Sequence, residues 1–294
     1  MSAPTPTRPA PGTAENAAST VPAVRVRRKY GELVGWALLA LAAAGFLANM
    51  LTNPRWRWDV VGQFLFDPLV LRGVGSTIFL TLVSGLCGLL LGLVVALMKL
   101  SSSRVLQTVA TAYIGFIRAI PALVLILLLY FISALFPTLE FGIPFLPPLV
   151  EVPTNSLITK FGAAWLGLTM LMAAHCGEII RGGISAVPPG QLEASKALSL
   201  GRFTAYRKVI LPQAIRVSIP SFANELITLF KNTSLVSVIG YAELLTVVQG
   251  IYGRTYQTIP LLTVACIWYL TLTVLSMVGQ SRLEKKYGRG FQRR

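Results

Sequence analysis

The stretch of sequence that decides the fold is residues 190–213, GQLEASKALSLGRFTAYRKVILPQ. It lies between long apolar runs, yet it carries five charged residues, which are Glu193, Lys196, Arg202, Arg207 and Lys208. Because so many charges are costly to place in hydrocarbon, the sequence predicts a loop outside a bilayer. This loop divides a chain that is otherwise dominated by apolar segments.

Two prolines and two weak helix formers predict that the loop consists of two short helices. Pro188 and Pro189 end the preceding helix, and Pro189 suits the first position of a new one. Ser199 and Gly201 lower helix propensity midway, which predicts a bend. We expect Pro212 to close the second helix. Each helix is predicted to carry an apolar side, made of Ala194, Ala197, Leu198 and Gly201 in the first and of Phe203, Tyr206 and Ile210 in the second.

The composition is that of an integral membrane protein. Of the 294 residues, 54% are hydrophobic and 13% are charged, which is far from the profile of a soluble domain. The net charge of +15 comes from basic residues between apolar runs, a pattern typical of topology determinants rather than of a nucleic-acid surface. The three cysteines, Cys87, Cys176 and Cys266, lie inside apolar runs and form neither a disulfide framework nor a metal motif.

We predict an all-α fold with about six transmembrane helices. Their approximate bounds are 33–51, 73–98, 113–136, 161–180, 218–248 and 259–279, between a basic, disordered N-terminal tail (1–32) and a basic C-terminal tail (281–294). Residues 55–72 are expected to form a polar connection, and the proline-rich residues 137–153 an irregular external loop. The first run, after a basic cluster, also fits a cleaved secretory signal, but the many later spans favour an uncleaved helix.

Small residues repeat every four positions in the second span. Ser84, Gly88, Gly92 and Ala96 form a stripe that would let another helix approach closely.

The distribution of basic residues predicts the orientation. If both tails, the turn at Lys99 and the 190–213 loop are cytoplasmic, about 20 of the 26 Lys and Arg residues face the cytoplasm and about five face outward. Both termini are therefore expected on the cytoplasmic side.

The charged loop resembles the EAA loop of ABC importer permeases. Glu193-Ala194-Ser195 and the run Val209–Pro212 match its two ends at the family's spacing, but Ser199 stands where the family has glycine. In that family the loop docks into a groove on a separate ATPase and transmits its motion. The resemblance implies the coupling residues Glu193, Ala194, Ser195, Ser199, Gly201, Leu211 and Pro212. The alternative is a solvated basic loop that binds no partner.

Two further stretches resemble those of polar amino-acid permeases. Residues 176–184, CGEIIRGGI, are similar to the motif AEIxRGGI, and residues 231–235, KNTSL, to K[DN]TSL. Residues 116–121, FIRAIP, resemble an FRGTP-type sequence, although Arg118 also fits an interfacial arginine near a helix end.

From about residue 73 to 286 the chain resembles HisM/HisQ-type permeases of polar amino-acid ABC importers. The implied fold is a type-1 permease core of five helices over residues 73–280, with the coupling loop at 189–213 and one extra N-terminal helix at 33–51.

Polar side chains inside apolar segments are the candidate pathway residues. Glu178 and Arg181 are spaced to pair on one helix face at the membrane edge. The candidates for a substrate pathway or gate are Asn224, Glu225, Lys231, Asn232, Thr233, Ser234 and His175, because polar groups in a membrane segment usually face a protein interior or a wet cavity. Hydrogen bonds between helices, and a bonded core histidine at His175, are the competing interpretations.

The sequence contains no pattern that supports catalysis. It has no GxxxxGK[ST] phosphate loop, and a single histidine allows neither a His-rich metal cluster nor a Ser-His-Asp triad. We therefore expect no metal and no cofactor on this chain, with ATP and Mg²⁺ on a partner ATPase.

The resemblance implies the partners and the location. The partners are a cytoplasmic ABC ATPase dimer, a second permease chain (a copy or a paralogue), an extracytoplasmic solute-binding protein, a small polar substrate and membrane lipid, without nucleic acid. The location is the bacterial cytoplasmic (inner) membrane.

An ion-gradient-driven secondary transporter of small polar solutes is the main alternative. Such proteins often contain internal repeats and unpaired acids at mid-membrane. Here no clear inverted repeat is seen, and Glu225 is expected to be the only acid well inside a span. A membrane-embedded enzyme is a third possibility, but the clustered catalytic residues that it needs are missing.

Overall fold

The computed structural model describes residues 30–141 and 148–287. The chain divides into two compact units, Met1–Asn53 and Pro54–Arg294. The predicted disordered tail lies almost wholly outside the described residues, and so does the second half of the predicted basic C-terminal tail.

The first unit contains one long apolar helix, α1 (Tyr30–Thr52). Its segment Gly31–Thr52 is long and apolar enough to cross a membrane. The structure therefore has a membrane-length helix at the predicted first span.

The second unit is made almost entirely of helices. Its α-helices are Trp58–Leu65 (α2), Pro68–Leu100 (α3), Arg104–Ala119 (α4), Ala122–Tyr130 (α5), Thr154–Leu157 (α6), Lys160–Ser185 (α7), Pro189–Ala197 (α8), Arg202–Ala205 (α9), Leu211–Asn232 (α10), Leu244–Thr255 (α11) and Thr258–Tyr287 (α12). Short 3₁₀ helices lie at Pro54–Trp56, Phe131–Ala134 and Thr233–Ile239, and a π-helical turn at Tyr206–Ile210.

The described chain has four helices that could each cross a membrane alone, α1, α3, α7 and α12. Two bent pairs could add one crossing each. Arg104–Ala119 and Ala122–Ala134 meet at 101°, and Arg202–Ile239 and Leu244–Thr255 at 43°. Six crossings, as predicted, thus require each bent pair to count as one.

The predicted third span, over 113–136, is broken into two helices and is not one continuous helix. Helix α4 begins well before it, at Arg104, and ends at Ala119. Ile120 is extended (φ −90°, ψ 132°), and α5 starts after Pro121. The cause is local, because proline disfavours helical backbone in the residue before it and donates no hydrogen bond itself.

The predicted polar connection and the predicted irregular external loop both contain regular structure. Within residues 55–72, α2 forms, and α3 begins at Pro68, where the Asp67 carboxylate accepts a hydrogen bond from Leu69 N–H (2.8 Å). Within residues 137–153, strands β1 (Thr138–Phe141) and β2 (Val150–Pro153) pair antiparallel, with Leu139 opposite Val152. Branched residues in β2 favour this extended pairing over an irregular loop.

The core is organised around close contact between α3 and α7. A Cβ atom on Gly88 would lie 2.5 Å from Met172 Cβ, and one on Gly92 would lie 2.5 Å from Cys176 Cβ. Ser84 and Ala96, the outer members of the predicted stripe, are fully buried. The prediction that this stripe admits a neighbouring helix is confirmed, and the neighbour is α7.

Candidate functional site: the coupling loop and the polar residues of the membrane segments

The charged loop begins as the prolines predict. Helix α7 ends at Ser185, Pro188 has non-helical backbone (φ −56°, ψ 134°), and Pro189 is the first residue of α8. Proline fits this position because the first N–H groups of a helix have no intrahelical acceptor.

The bend of the loop lies at Ser199. Its backbone is left-handed (φ 54°), and its N–H donates to the Lys196 carbonyl at 2.8 Å. Leu200 N–H donates to the Ser195 carbonyl at 3.0 Å. These two bonds form a Schellman cap, in which glycine is the usual left-handed residue. Gly201 has φ −58° and precedes α9, so the bend stays at the serine and does not move to the nearby glycine.

Pro212 does not close the loop, which corrects the prediction. Helix α9 continues through the π-helical turn Tyr206–Ile210 directly into α10, and Leu211 N–H donates to the Tyr206 carbonyl. Pro212 therefore lies in the first turn of α10, where a missing N–H is tolerated. The second arm of the loop and α10 form one continuous helical rod.

One side of the loop is anchored to the membrane helices. Ile210 packs in a small core with Val187 and Ala214, against which Ile184 near the end of α7 also packs. Ser195 is buried too, but its hydroxyl donates to the Gln191 carbonyl within α8 (2.7 Å), so this bond stabilises the helix itself. The sequence predicted that Ile210 lies on the same side of its helix as Phe203 and Tyr206. Ile210 is only 5% exposed, whereas Phe203 and Tyr206 are exposed, so this prediction is wrong.

The opposite side of the loop is open and partly apolar. Leu198 is 74% exposed and Phe203 is 76% exposed. The other exposed residues of the loop include the charged side chains Glu193, Lys196, Arg202, Arg207 and Lys208 and the small or aromatic residues Ala194, Ala197, Gly201 and Tyr206. Large exposed apolar side chains beside charged ones are typical of a surface that binds another protein.

Glu178 pairs with two cations. Its Oε2 accepts from Arg181 Nε at 2.8 Å, within α7. Its Oε1 accepts from Lys99 Nζ, in the last turn of α3. The sequence spacing indicated the pair with Arg181, but nothing in the spacing pointed to Lys99, which comes from a distant part of the chain.

The predicted pathway residues of α10 and the 3₁₀ helix after it differ in exposure. Asn224 and Lys231 are exposed on α10, Asn232 and Ser234 are half-buried, and Thr233 is fully buried. The hydroxyl of Thr233 donates to the Phe230 carbonyl at 2.6 Å. Thr233 thus stabilises the junction after α10 and lines no open space in this chain.

A polar stripe runs along α10. It consists of Ser221, Asn224, Thr228 and Lys231, which are all exposed and repeat at helical spacing. Ser221 and Thr228 were not among the predicted residues, although the same spacing connects them to Asn224 and Lys231. An exposed polar face on a membrane helix calls for a protein or aqueous neighbour.

His175 and Glu225 meet between α7 and α10. Nδ1 of His175 lies 3.4 Å from Glu225 Oε1 and 2.9 Å from the Leu171 carbonyl oxygen. Both side chains are partly exposed, at 34% and 18%. His175 was predicted to be either a pathway residue or a hydrogen-bonded core histidine. Its ring is bonded to a backbone carbonyl, as in the second interpretation, and it also contacts Glu225, a candidate pathway residue.

A second acid, Glu243, lies near the end of the predicted fifth segment, at the break between the two helices of the second bent pair. Glu243, just before α11, is fully buried. Its carboxylate accepts from Leu245 N–H (3.0 Å), Thr246 N–H (2.7 Å) and the Tyr269 hydroxyl (2.7 Å). It caps α11, as its position directly before that helix could have indicated.

Arg118 and Pro121, from the FRGTP-like sequence, lie at the bend between α4 and α5. Arg118 is exposed in the last turn of α4, and Pro121 precedes the first residue of α5. Both residues thus belong to the break between α4 and α5 and not to the coupling loop.

Within residues 30–141 and 148–287, no group of three or more His, Cys, Asp or Glu side chains could hold a metal ion. What the arrangement provides is a charged loop with exposed apolar side chains, continuous through α9 with α10, a helix that carries polar side chains.

Comparison with known proteins identifies the family. Residues 88–289 match the model of the family described as binding-protein-dependent transport system inner membrane component. An arginine transport system permease protein, ArgU, of Corynebacterium glutamicum is 36% identical over 90% of this chain and 83% of its own length. A probable amino-acid ABC transporter permease protein, YckA, of Bacillus subtilis is 36% identical over 81% and 98%.

A solved structure supports the same assignment. The crystal structure of an amino acid ABC transporter with histidines contains a chain that is 35% identical to this one. The match has a TM-score of 0.65 and covers 76% of this chain and 97% of that chain. The predicted ABC importer permease fold is confirmed, and the secondary transporter is not supported. The chain belongs to the family of inner-membrane permease components of binding-protein-dependent ABC transport systems, in which a separate subunit hydrolyses ATP.

Proposed function

We propose that this permease takes up polar amino acids across the bacterial cytoplasmic membrane. The names of two relatives, an arginine permease and an amino-acid permease, support this substrate class. ATP and Mg²⁺ are bound by the partner ATPase, and an extracytoplasmic binding protein delivers the substrate.

The observation that carries the proposal is the two-sided coupling loop. Its inner side is held by Ile210, which packs with Val187 and Ala214, whereas Leu198, Phe203 and Glu193 are exposed. Burying such an apolar surface against a partner is favourable, and the surrounding charges orient the partner. A groove on a cytoplasmic ATPase provides that partner.

The continuous rod formed by the second arm and α10 suggests how motion is transmitted. ATP binding closes the ATPase dimer and displaces the loop. Since α9 runs without a break into α10, and α8 is joined through Val187 to the end of α7, both membrane helices tilt with the loop. The pathway then alternates between outward and inward access.

The pathway runs along the polar stripe of α10. Asn224 and Lys231 line it in this chain, with His175 and Glu225 beside them. A second permease chain, a copy or a paralogue, covers the stripe from the other side, because lipid would leave these polar groups unsatisfied.

The permease domain comprises residues 73–280, and residues 33–51 add one helix to it. Both termini and the coupling loop are cytoplasmic. The excess of basic residues on that side supports the orientation.

Reversing the charge of Glu193 tests the proposal. The permease is reconstituted in proteoliposomes with its ATPase and binding protein, and uptake of labelled L-arginine, L-glutamine and L-histidine is measured together with ATP hydrolysis. In the Glu193→Lys complex we expect ATP hydrolysis without matching uptake, while substrate binding by the binding protein is unchanged.

Glu140→Lys is the matched control. Glu140 is also exposed, but it lies in β1, far along the chain from the loop, so the same charge change there should preserve coupling. Normal uptake per ATP in the Glu193→Lys complex would refute the role of the loop.

A further inference from the structure

Glu178 and the two cations that contact it join two helices at the end of the molecule that carries the coupling loop. We call Lys99, Glu178 and Arg181 the Glu178 cluster. Arg181 lies on the same helix as Glu178, whereas Lys99 lies on α3. The Lys99 and Glu178 side chains are only 22% and 20% exposed. Partial burial reduces solvent screening, so this bridge is stronger than a pair at the open surface.

The cluster completes the contact between α3 and α7. Next to the cluster, Gly92 of α3 and Gly177 of α7 allow the two backbones to approach closely. A Cβ atom on Gly92 would lie 2.5 Å from Cys176 Cβ, and one on Gly177 would lie 3.1 Å from Val95 Cγ1. Small residues set the distance between two helices. A directed ion pair at one end also fixes their register along the axis.

The same end of α7 is tied to α10. A Cβ atom on Gly183 would lie 2.0 Å from Ser218 Oγ, so no larger residue fits there. Ser218 Oγ donates to the Ile179 carbonyl at 3.3 Å. The last turns of α7 are therefore held by α10 through Ser218 and by α3 through Lys99.

We propose that Lys99 is a positioning residue for transport coupling. Its bridge to Glu178 makes α3 follow the base of the coupling loop when the loop moves. Arg181 cannot replace Lys99 in this role. Arg181 and Glu178 are both on α7, so their pair orients the Glu178 carboxylate but does not connect α7 to another helix. This inference rests on the proposed coupling function of the loop.

Variants at Lys99 test the inference in the complete reconstituted transporter. Lys99→Met removes the bridge, and Lys99→Gln retains a hydrogen-bond donor without the charge. We expect the ratio of amino acid transported to ATP hydrolysed to fall roughly 2- to 30-fold in both, the range typical of residues that carry coupling. Lys99→Arg should restore the ratio, because it keeps the cation. The transported probes are labelled L-arginine, L-glutamine and L-histidine, and the midpoint of thermal unfolding is recorded for each variant.

Arg104→Met is the control, since Arg104 is an exposed cation near the same end of the molecule, at the start of α4. An unchanged ratio in Lys99→Gln, with or without a lower unfolding midpoint, would show that the bridge is merely structural and would overturn the inference. If the proposed coupling role of the loop is itself wrong, the Glu193→Lys complex would remain coupled, which distinguishes that outcome from a failure of the inference about Lys99.

Discussion

At the scale of single residues, Ser199 carries the least usual backbone of the coupling loop. A non-glycine residue in left-handed conformation costs roughly 1–2 kcal/mol. Ser199 nevertheless forms the Schellman cap that separates α8 from α9. The geometry of the bend thus requires a left-handed residue at this position, whichever side chain it has.

Substitutions at Ser199 should follow from this conformation. Ser199→Gly should stabilise the bend by roughly 1 kcal/mol, and Ser199→Val should destabilise it by a similar amount. We expect slower trypsin cleavage at Lys196 and Arg202 in the glycine variant and faster cleavage in the valine variant. Gly201→Ala is the control, because Gly201 has φ −58° and open space around it. If Gly201→Ala were cleaved as fast as Ser199→Val, the assigned bend would be wrong.

The start and the bend of the loop could be predicted from the sequence, whereas the contact between Lys99 and Glu178 could not. The prolines and weak helix formers correctly indicated where α8 begins and where the chain bends. Lys99 was missed because its partner Glu178 is brought to it by the fold and not by spacing along one helix. Pro212 was misread because a proline is compatible with the first turn of a helix as well as with its end.

At the scale of helices, two acids near α10 and α11 have opposite environments. Glu243 is fully buried and accepts hydrogen bonds from two backbone N–H groups and from Tyr269. Glu225 is partly exposed, and within the described part of the chain its carboxylate lies beside the His175 ring. The first acid therefore stabilises the fold, and the second is open enough to serve the proposed pathway.

Alanine at each acid should separate these roles. Glu243→Ala leaves buried donors without an acceptor, which should lower the free energy of unfolding by about 3 kcal/mol or more. Glu225→Ala should lower it by less than about 1 kcal/mol but reduce uptake. Thermal unfolding in detergent and uptake in proteoliposomes measure the two effects. Equal losses of stability would contradict the assignment.

The elements that sequence patterns predicted well were the long apolar helices. Helices α1, α3, α7 and α12 all fall on predicted spans, because about 20 apolar residues leave few alternatives. The break at Pro121 and the pairing of β1 with β2 were not predicted. Hydropathy does not distinguish one straight helix from two bent ones, and strand pairing depends on contacts between separate segments.

At the scale of the whole molecule, the side of the membrane that the coupling loop faces decides which proteins can bind it. Family membership gives the fold and the class of transporter. The loop can be moved by an ATPase only if it is cytoplasmic, and the basic residues support that side.

Cysteine labelling in intact cells tests this sidedness most directly. Single cysteines are placed at Lys196 in the loop and at Glu140 in β1, after Cys87, Cys176 and Cys266 have been replaced by serine. With a membrane-impermeant maleimide, we expect Glu140→Cys to react in intact cells and Lys196→Cys to react only after the membrane is opened. Labelling of Lys196→Cys from outside intact cells would contradict the proposed coupling to a cytoplasmic ATPase.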